Sequence, residues 1–478
     1  MKSILLIGAS FTTLTLRDAS SFQSLDAVSL RRCCQASSSL SVATQQQFSS
    51  GTINVAEDAQ RDLDWLEEWA TNCGVQKSEG FEIRQVLGDN YWDDDARIIT
   101  NQDLSVDSPI LFVPENVILT GQKAKQELGR DASEAERMLE AFYGPDEISK
   151  FYLFLKLMAE HEAGESSPYF AYLNSLPRFF SNGASMTDFC YGCLPPFAAG
   201  VALAERTKKD RYLQALEKVT LGFFLSNESV ANDDLAKWAF AVVNTRCTQL
   251  PNGDFGIVPL ADYFNHGNDG GSLDNEAVAN CYISFDEEGN SYAYSSQNVP
   301  AGSPLLISYG DSTNPSKLLA KYGFLDETSP VTFCKYIIGE ESIGEEIKAM
   351  GYPNRMLFST EGEISPEVWD VVLYDQLARA GSSQQQQQEL YQAVMSGDEA
   401  TKQRLHQDYF TLTLKALQDH VNFLVNELDE LEIGMETQLS SGVNAYKHPR
   451  LPLLRRHNTY VKTIFDRVQE NLNNMSSQ

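Results

Sequence analysis

Two short segments constrain this chain more than any bulk property: Val258-Pro-Leu-Ala-Asp-Tyr-Phe-Asn-His266 and Leu305-Leu-Ile-Ser-Tyr-Gly310. Between them, the runs 280–285 and 292–295 alternate in character around the turn-forming Asp286-Glu-Glu-Gly-Asn290, the signature of a β-hairpin. Behind the second segment, Leu318, Leu319, Tyr322 and Phe324 crowd a short helix and its exit. The stretch from Gly256 to Leu325 therefore reads as short strands, a hairpin and a closing helix, and the rest of the chain is organised around it.

Taken singly, these residues have plain readings. An Asn-His pair after an apolar run makes a turn, a tyrosine at a strand end packs in a core, and Asp262 with His266 at i, i+4 could ligate a metal. Their order and joint spacing say more. The pair AD-x-x-NH and ISYG, followed by Lys321-Tyr-Gly-Phe324, resembles the SET-domain protein methyltransferases, and within them the Rubisco large-subunit methyltransferase type. That resemblance implies an α+β fold: short strands with a pseudoknot-like crossing, a helical insertion and a C-terminal all-α domain. It implies S-adenosylmethionine as cofactor and no metal. Asn265 and His266 would hold the cofactor, Asp262 would support them from one helical turn earlier, and Arg246 would lie beside it. Tyr309 would be the catalytic residue, directing its phenol at the reacting methyl, and Tyr322 would wall the substrate channel. Methyl transfer from a sulfonium to a nitrogen needs in-line approach and no covalent enzyme intermediate, so such a protein works by positioning and electrostatics.

Bulk properties set limits around this reading. A chain of 478 residues exceeds what a single core supports, so two or three units are expected. The formal charge of -29 argues against a nucleic-acid footprint, which needs a basic stripe. It favours basic partners, such as a protein substrate with an exposed lysine, or is simply a solvated acidic surface. Of eight cysteines, Cys33 and Cys34 fall near the N-terminus and the others are scattered, a reducing-compartment pattern. Cys190 and Cys193 form one CxxC without a second pair, which reads as two ordinary thiols sooner than as a zinc site.

Residues 1–50 read as a targeting presequence. Lys2 precedes an apolar run from Ile4 to Leu16, too short to span a bilayer, and a serine-rich stretch with Arg31 and Arg32 follows. Around Ala19-Ser-Ser-Phe22 the combination resembles a two-part plastid presequence, giving an expectation of the plastid stroma; secretion or an ordinary N-terminus stays open. No membrane or nucleic-acid partner is expected of the mature form, which is expected to be a monomer.

The mature chain divides at about residues 57–327 and 328–478. A helix is predicted over Asp62–Ala70, then strands over Phe81–Leu87, Ala96–Ile99 and Ile110–Val113. Where the family carries a glycine-rich turn against the cofactor, this chain reads Asp95-Ala-Arg97, with Asp93 and Asp94 before it. Glycine serves where backbone approaches a ligand closely, so either the backbone keeps its path with side chains outward or the pocket is altered. From about 130 to 250 the pattern is helical, with a buried helix over Ile148–Ala159 and another whose Leu235, Trp238, Ala239, Val242, Val243 and Arg246 follow helical spacing. Ser167-Pro-Tyr and Leu176-Pro177 resemble the family's PY-x-x-x-LP segment. Arg246 also has a plain reading, a cation at a helix C-terminus.

Beyond Glu327, helices are predicted over Glu363–Ala380, Leu390–Met395, Thr401–Leu431 and Leu451–Leu472, with Gln384–Gln388 as a low-complexity surface loop or helix extension. Only this helical texture resembles the substrate-binding domain of the Rubisco methyltransferase type. The resemblance thus implies a protein N-methyltransferase acting on lysine of a non-histone protein. A histidine-directed methyltransferase and an inactive SET-fold binding module are the alternatives.

Overall fold

The computed structural model describes residues 53–88, 90–93, 95–220, 224–268, 278–310, 314–336, 341–352, 355–379 and 383–476. The presequence expectation, and with it Asp94, lies outside them, as does the side chain of Asp93.

Among the described residues, thirteen short strands make five small sheets. Strands β1 (Gln76–Lys77), β4 (Pro109–Val113), β10 (Ser291–Ser295) and β9 (Cys281–Phe285) form one sheet in that order. The hairpin read from sequence is present, with Ser291 opposite Phe285 and Ser295 opposite Cys281. Strands β2 (Phe81–Val86) and β3 (Asp95–Thr100) pair antiparallel in unbroken register from Phe81↔Thr100 to Val86↔Asp95. A third sheet orders β5 (Leu119–Thr120), β7 (Phe255–Ile257) and β6 (Thr248–Gln249). The fourth joins β8 (Asn265–His266) to β11 (Leu306–Ile307), and the fifth joins β12 (Val331–Phe333) to β13 (Leu357–Ser359).

Helix α1 (Leu66–Asn72) starts later than predicted, since Asp62 instead donates its backbone N–H to Asn174. The helical insertion opens with α2 (Gly121–Glu140), capped by Thr120, which accepts from the Lys123 N–H at 3.1 Å. Helix α3 (Pro145–Ala163) is buried nearly all round, as its apolar sequence demands. Next come α4 (Phe170–Ser175), α5 (Pro196–Leu216) and α6 (Asp233–Arg246), the last capped by Asn232 with Asp233 and Asp234 in its first turn. Helix α7 (Pro315–Tyr322) has Pro315 in its first turn and ends at Gly323 in the left-handed conformation.

Beyond it lie α8 (Pro366–Arg379), α9 (Gln384–Ser396), α10 (Glu399–Asp408), α11 (Phe410–Ser440) and α12 (Leu451–Ser476). The single helix predicted over Thr401–Leu431 is thus two, broken at Tyr409, with Leu412 exposed just beyond the break. Of the two readings of the glutamine run, the helical one holds: it opens α9.

One core joins the strands to α2, α3 and α6 around Leu111, Phe151, Trp238 and Phe264. A second, around Val371, Leu417, Val461 and Phe465, belongs to the C-terminal helices. A third cluster sits at the seam, where Cys190, Cys193 and Leu319 meet Met435 and Leu454. Cys190 and Cys193 are free buried thiols there. Among the described residues no helix is long and apolar enough to cross a membrane.

Candidate active site

The two sequence segments meet in a crossing. β8 and β11 run parallel, Asn265 opposite Leu306 and His266 opposite Ile307. The Gly267 N–H donates to Ile307 at 2.9 Å, and the Asn280 carboxamide accepts from the Leu306 N–H and donates to the Pro304 carbonyl, both at 2.9 Å. A Cβ on Gly267 would lie 2.6 Å from the Ala279 nitrogen, so only glycine lets these backbones come this close.

Leu260, at φ 67 with its side chain fully buried, turns the chain from β7 into the 3-10 turn Ala261–Tyr263 that presents Asp262. Asp262 meets Arg246 from the end of α6. Its Oδ2 accepts from the guanidinium at 2.8 Å and from the Tyr172 hydroxyl at 2.9 Å, while the guanidinium also donates to the Asp262 carbonyl at 2.8 Å. Burial works against the charge on Arg246, but the Asp262 carboxylate outweighs it and raises the pKa. The guanidinium also lies over the Tyr263 ring, 5.1 Å from its centroid. Two buried atoms of this pair, Arg246 Nε and Asp262 Oδ1, have no protein partner.

Tyr309 follows β11 and is packed among aromatic rings. Its centroid lies 4.9 Å from Tyr322, 5.3 Å from His266 and 6.1 Å from Phe324. Its hydroxyl donates to the Phe264 carbonyl at 2.7 Å, and its backbone N–H donates to His266 Nδ1 at 3.1 Å. Burial pushes the phenol well above the ordinary tyrosine range. A phenolate base is therefore disfavoured, while the oxygen, its hydrogen committed to Phe264, keeps lone pairs for a ligand.

Asn265 donates its amide to Asp95 Oδ2 at 3.2 Å. Ala96 is buried while Asp95 and Arg97 are exposed, so the segment lacking glycines runs as regular strand, with the Asp95 carboxylate turned to Asn265. Asp95, Ala96 and Arg97 all have negative φ. No group of three or more His, Cys, Asp or Glu that could hold a metal occurs among the described residues, and the Asp262 carboxylate is engaged by Arg246 and Tyr172 while His266 Nδ1 accepts from the Tyr309 N–H.

No protein-family model matches the chain. Solved structures do. The chain resembles Rubisco LSMT bound to sinefungin and monomethyllysine with a TM-score of 0.57 at 16% identity, over 87% of this chain and 92% of that one. It resembles the SET domain of LSMT bound to lysine and AdoHcy with a TM-score of 0.58 at 16% identity, over 86% and 91%. The chain has the SET-domain fold.

Curated relatives agree with the SET fold. SET domain-containing protein 4 of Artemia parthenogenetica is 27% identical over 199 residues, which is 38% of this chain and 46% of that protein. The actin-histidine N-methyltransferase of Danio rerio is 24% identical over 295 residues, 60% of this chain and 46% of that protein. The chain therefore spans less than half the length of these relatives.

Within the SET fold, Arg246, Asp262, Asn265, His266, Tyr309 and Tyr322 gather around one crossing. Their relations differ in detail from expectation. Asp262 supports the crossing through Arg246 and Tyr172, and its side chain forms no hydrogen bond with Asn265. Arg246 does stand at a helix C-terminus, yet its charge is answered by a carboxylate. Sequence reasoning missed Tyr172, Asp326 as the residue facing His266, and Asp95 as the partner of Asn265. Tyr172 lies inside the PY-x-x-x-LP segment, whose placement in the sequence was the available signal.

Proposed function

We propose that the chain is an S-adenosylmethionine-dependent protein methyltransferase that modifies a lysine side chain of a non-histone protein. The observation that carries this reading is the half-buried Tyr309, its hydroxyl fixed by Phe264 and its ring walled by Tyr322 and Phe324 beside the Arg246–Asp262 pair. The cofactor, when bound, supplies an electrophilic methyl on a sulfonium.

The residues present fit such a group. Arg246 Nε and Asp262 Oδ1 are buried polar atoms awaiting a partner, and a charged, hydrogen-bonding ligand answers that cost. Asn265 and His266 would hold it against the crossing, with Arg246 as an added donor. The faces of Tyr309 and Tyr322 would receive the substrate side chain; aromatic faces attract an ammonium, and the dry surroundings favour its neutral form. Loss of that proton frees the nitrogen lone pair, which an unperturbed lysine keeps protonated at neutral pH. The Tyr309 oxygen, with no proton to give beyond the one held by Phe264, orients the reacting centre and needs no general-base role.

A histidine acceptor is the second reading, favoured by the similarity to actin-histidine N-methyltransferases at 24% and 23% identity. The test is titration of S-adenosylmethionine into the full chain by calorimetry, followed by methylation of peptide arrays that differ only in lysine or histidine, read by mass spectrometry. Stoichiometric binding with lysine modified supports the first reading, and modified histidine supports the second. Absence of heat at millimolar cofactor would sink both and leave a binding module.

A further inference from the structure

His266 receives the Tyr309 backbone N–H at Nδ1, over 3.1 Å. A ring nitrogen that accepts carries no proton, so the proton of the neutral ring sits on Nε2. Nε2 is buried without a hydrogen-bond partner, and it faces Asp326 Oδ2 at 3.7 Å, an oxygen likewise buried and without a donor. That spacing is beyond a direct hydrogen bond but within electrostatic reach.

The carboxylate is held in place from its other side. Asp326 Oδ1 accepts from the Thr328 N–H at 3.0 Å and from the Thr328 hydroxyl at 2.6 Å. The Thr328 hydroxyl oxygen in turn accepts from Asn268 Nδ2 at 2.8 Å, and Asn268 stands two residues after His266. A polar ring thus leaves the crossing at His266, passes through Asp326 and Thr328, and returns to the same segment.

We propose that Asp326 is a positioning residue whose carboxylate holds His266 in the Nε2–H tautomer, so that Nδ1 keeps the Tyr309 backbone in the crossing. Asparagine at this position can still serve Thr328 through its carboxamide oxygen. Its amide group, however, points hydrogens at Nε2–H. The ring relieves two opposed donors by moving its proton to Nδ1, and Nδ1–H then opposes the Tyr309 N–H. The disturbance reaches the residue whose hydroxyl clamps Phe264, two positions before His266.

The tautomer does not depend on the methyltransferase reading, whereas the effect on cofactor does. The test is long-range proton–nitrogen NMR on the full chain with labelled histidine, the His266 signal being assigned by its loss in His266→Gln. The parent should show the Nε2–H form, and Asp326→Asn should convert His266 to the Nδ1–H form while S-adenosylmethionine binds about tenfold more weakly, the scale of one net hydrogen bond lost. A parent ring already protonated at Nδ1 overturns the proposal even if the variant does not fold. So does an unchanged tautomer in a folded Asp326→Asn, or a changed tautomer with unchanged affinity. A parent that shows the expected tautomer but binds no cofactor refutes the methyltransferase reading and leaves the tautomer assignment standing.

Discussion

Tyr309 donates its phenolic hydrogen to the Phe264 carbonyl over 2.7 Å, so the residue expected at the chemical centre is also a clamp across the crossing. Tyr309→Phe separates the two roles. Losing the bond leaves a carbonyl unpaired and should lower stability by about 1–2 kcal/mol in urea titration. Cofactor affinity should change little, because the ring and its packing remain. Methyl transfer should fall by about a hundredfold or more, the size of effect seen when one preorganised polar group is removed. A variant that transfers methyl at the parental rate would refute the assignment of Tyr309.

The Arg246–Asp262 pair predicts an asymmetric response. Asp262→Asn leaves a buried guanidinium without its counter-charge, and breaking a buried pair in this way costs about 3–5 kcal/mol. Tyr172→Phe removes a single hydrogen bond to the same carboxylate and should cost about 1 kcal/mol. Chemical denaturation of the two variants gives the comparison. Equal, small losses would mean that the pair is solvated and that Arg246 is not held for a ligand.

What the sequence made legible here is local. Asn265, His266 and Tyr309 sit in contiguous motifs whose apolar flanks must be strands, and the hairpin between them carries its turn in its own residues. Asp95 could be read only as a departure from a glycine turn, because its partner Asn265 is 170 positions away and nothing local records that contact. Asp326 was equally silent, since a carboxylate after a helix exit has a dozen surface uses. The break at Tyr409 was invisible for another reason: the region 404–414 contains neither glycine nor proline, and the apolar stripe runs on in phase. Tertiary packing, with Leu405 buried on one side of the break and Leu412 exposed on the other, decides it.

Gly323 offers a prediction that joins fold to site. It closes α7 at φ 83, directly between Tyr322 and Phe324, and a Cβ there would lie 2.6 Å from both the Asn182 nitrogen and the Ser181 carbonyl carbon. Backbone atoms cannot step aside as a flexible side chain can. Gly323→Ala should therefore cost about 2 kcal/mol or more, from left-handed strain and overpacking together. Displacement of Tyr322 should also raise KM for the protein substrate more than it weakens cofactor binding. Thermal denaturation and paired titrations check both, and a neutral Gly323→Ala would show that the segment 181–182 yields.

The junction between the SET core and the C-terminal helices carries a pH signature. Lys335, at φ 56 and buried, donates from Nζ to Ser316 Oγ at 2.5 Å, lies 5.1 Å from the centre of the Phe197 ring, and has no carboxylate partner among the described residues. Across Ser316 stands His457, its Nε2 2.9 Å from the same hydroxyl and its pKa driven down to about 3 by burial and by Lys335, so it brings no charge at neutral pH. Burial lowers the Lys335 amine from 10.5 to about 7, the adjacent Cys334 opposing weakly. Between those values the unfolded chain binds a proton that the folded chain does not, so this contribution to stability rises with pH across the window and is fully unfavourable below it. Lys335→Met removes the penalty and leaves the Ser316–His457 bond. It should be more stable than the parent at about pH 6, with the gap narrowing steadily toward about pH 10. Urea titrations of both proteins across that range give the answer: a gap that stays flat means the amine is charged and solvated in the folded state, and the buried-lysine account of this junction fails.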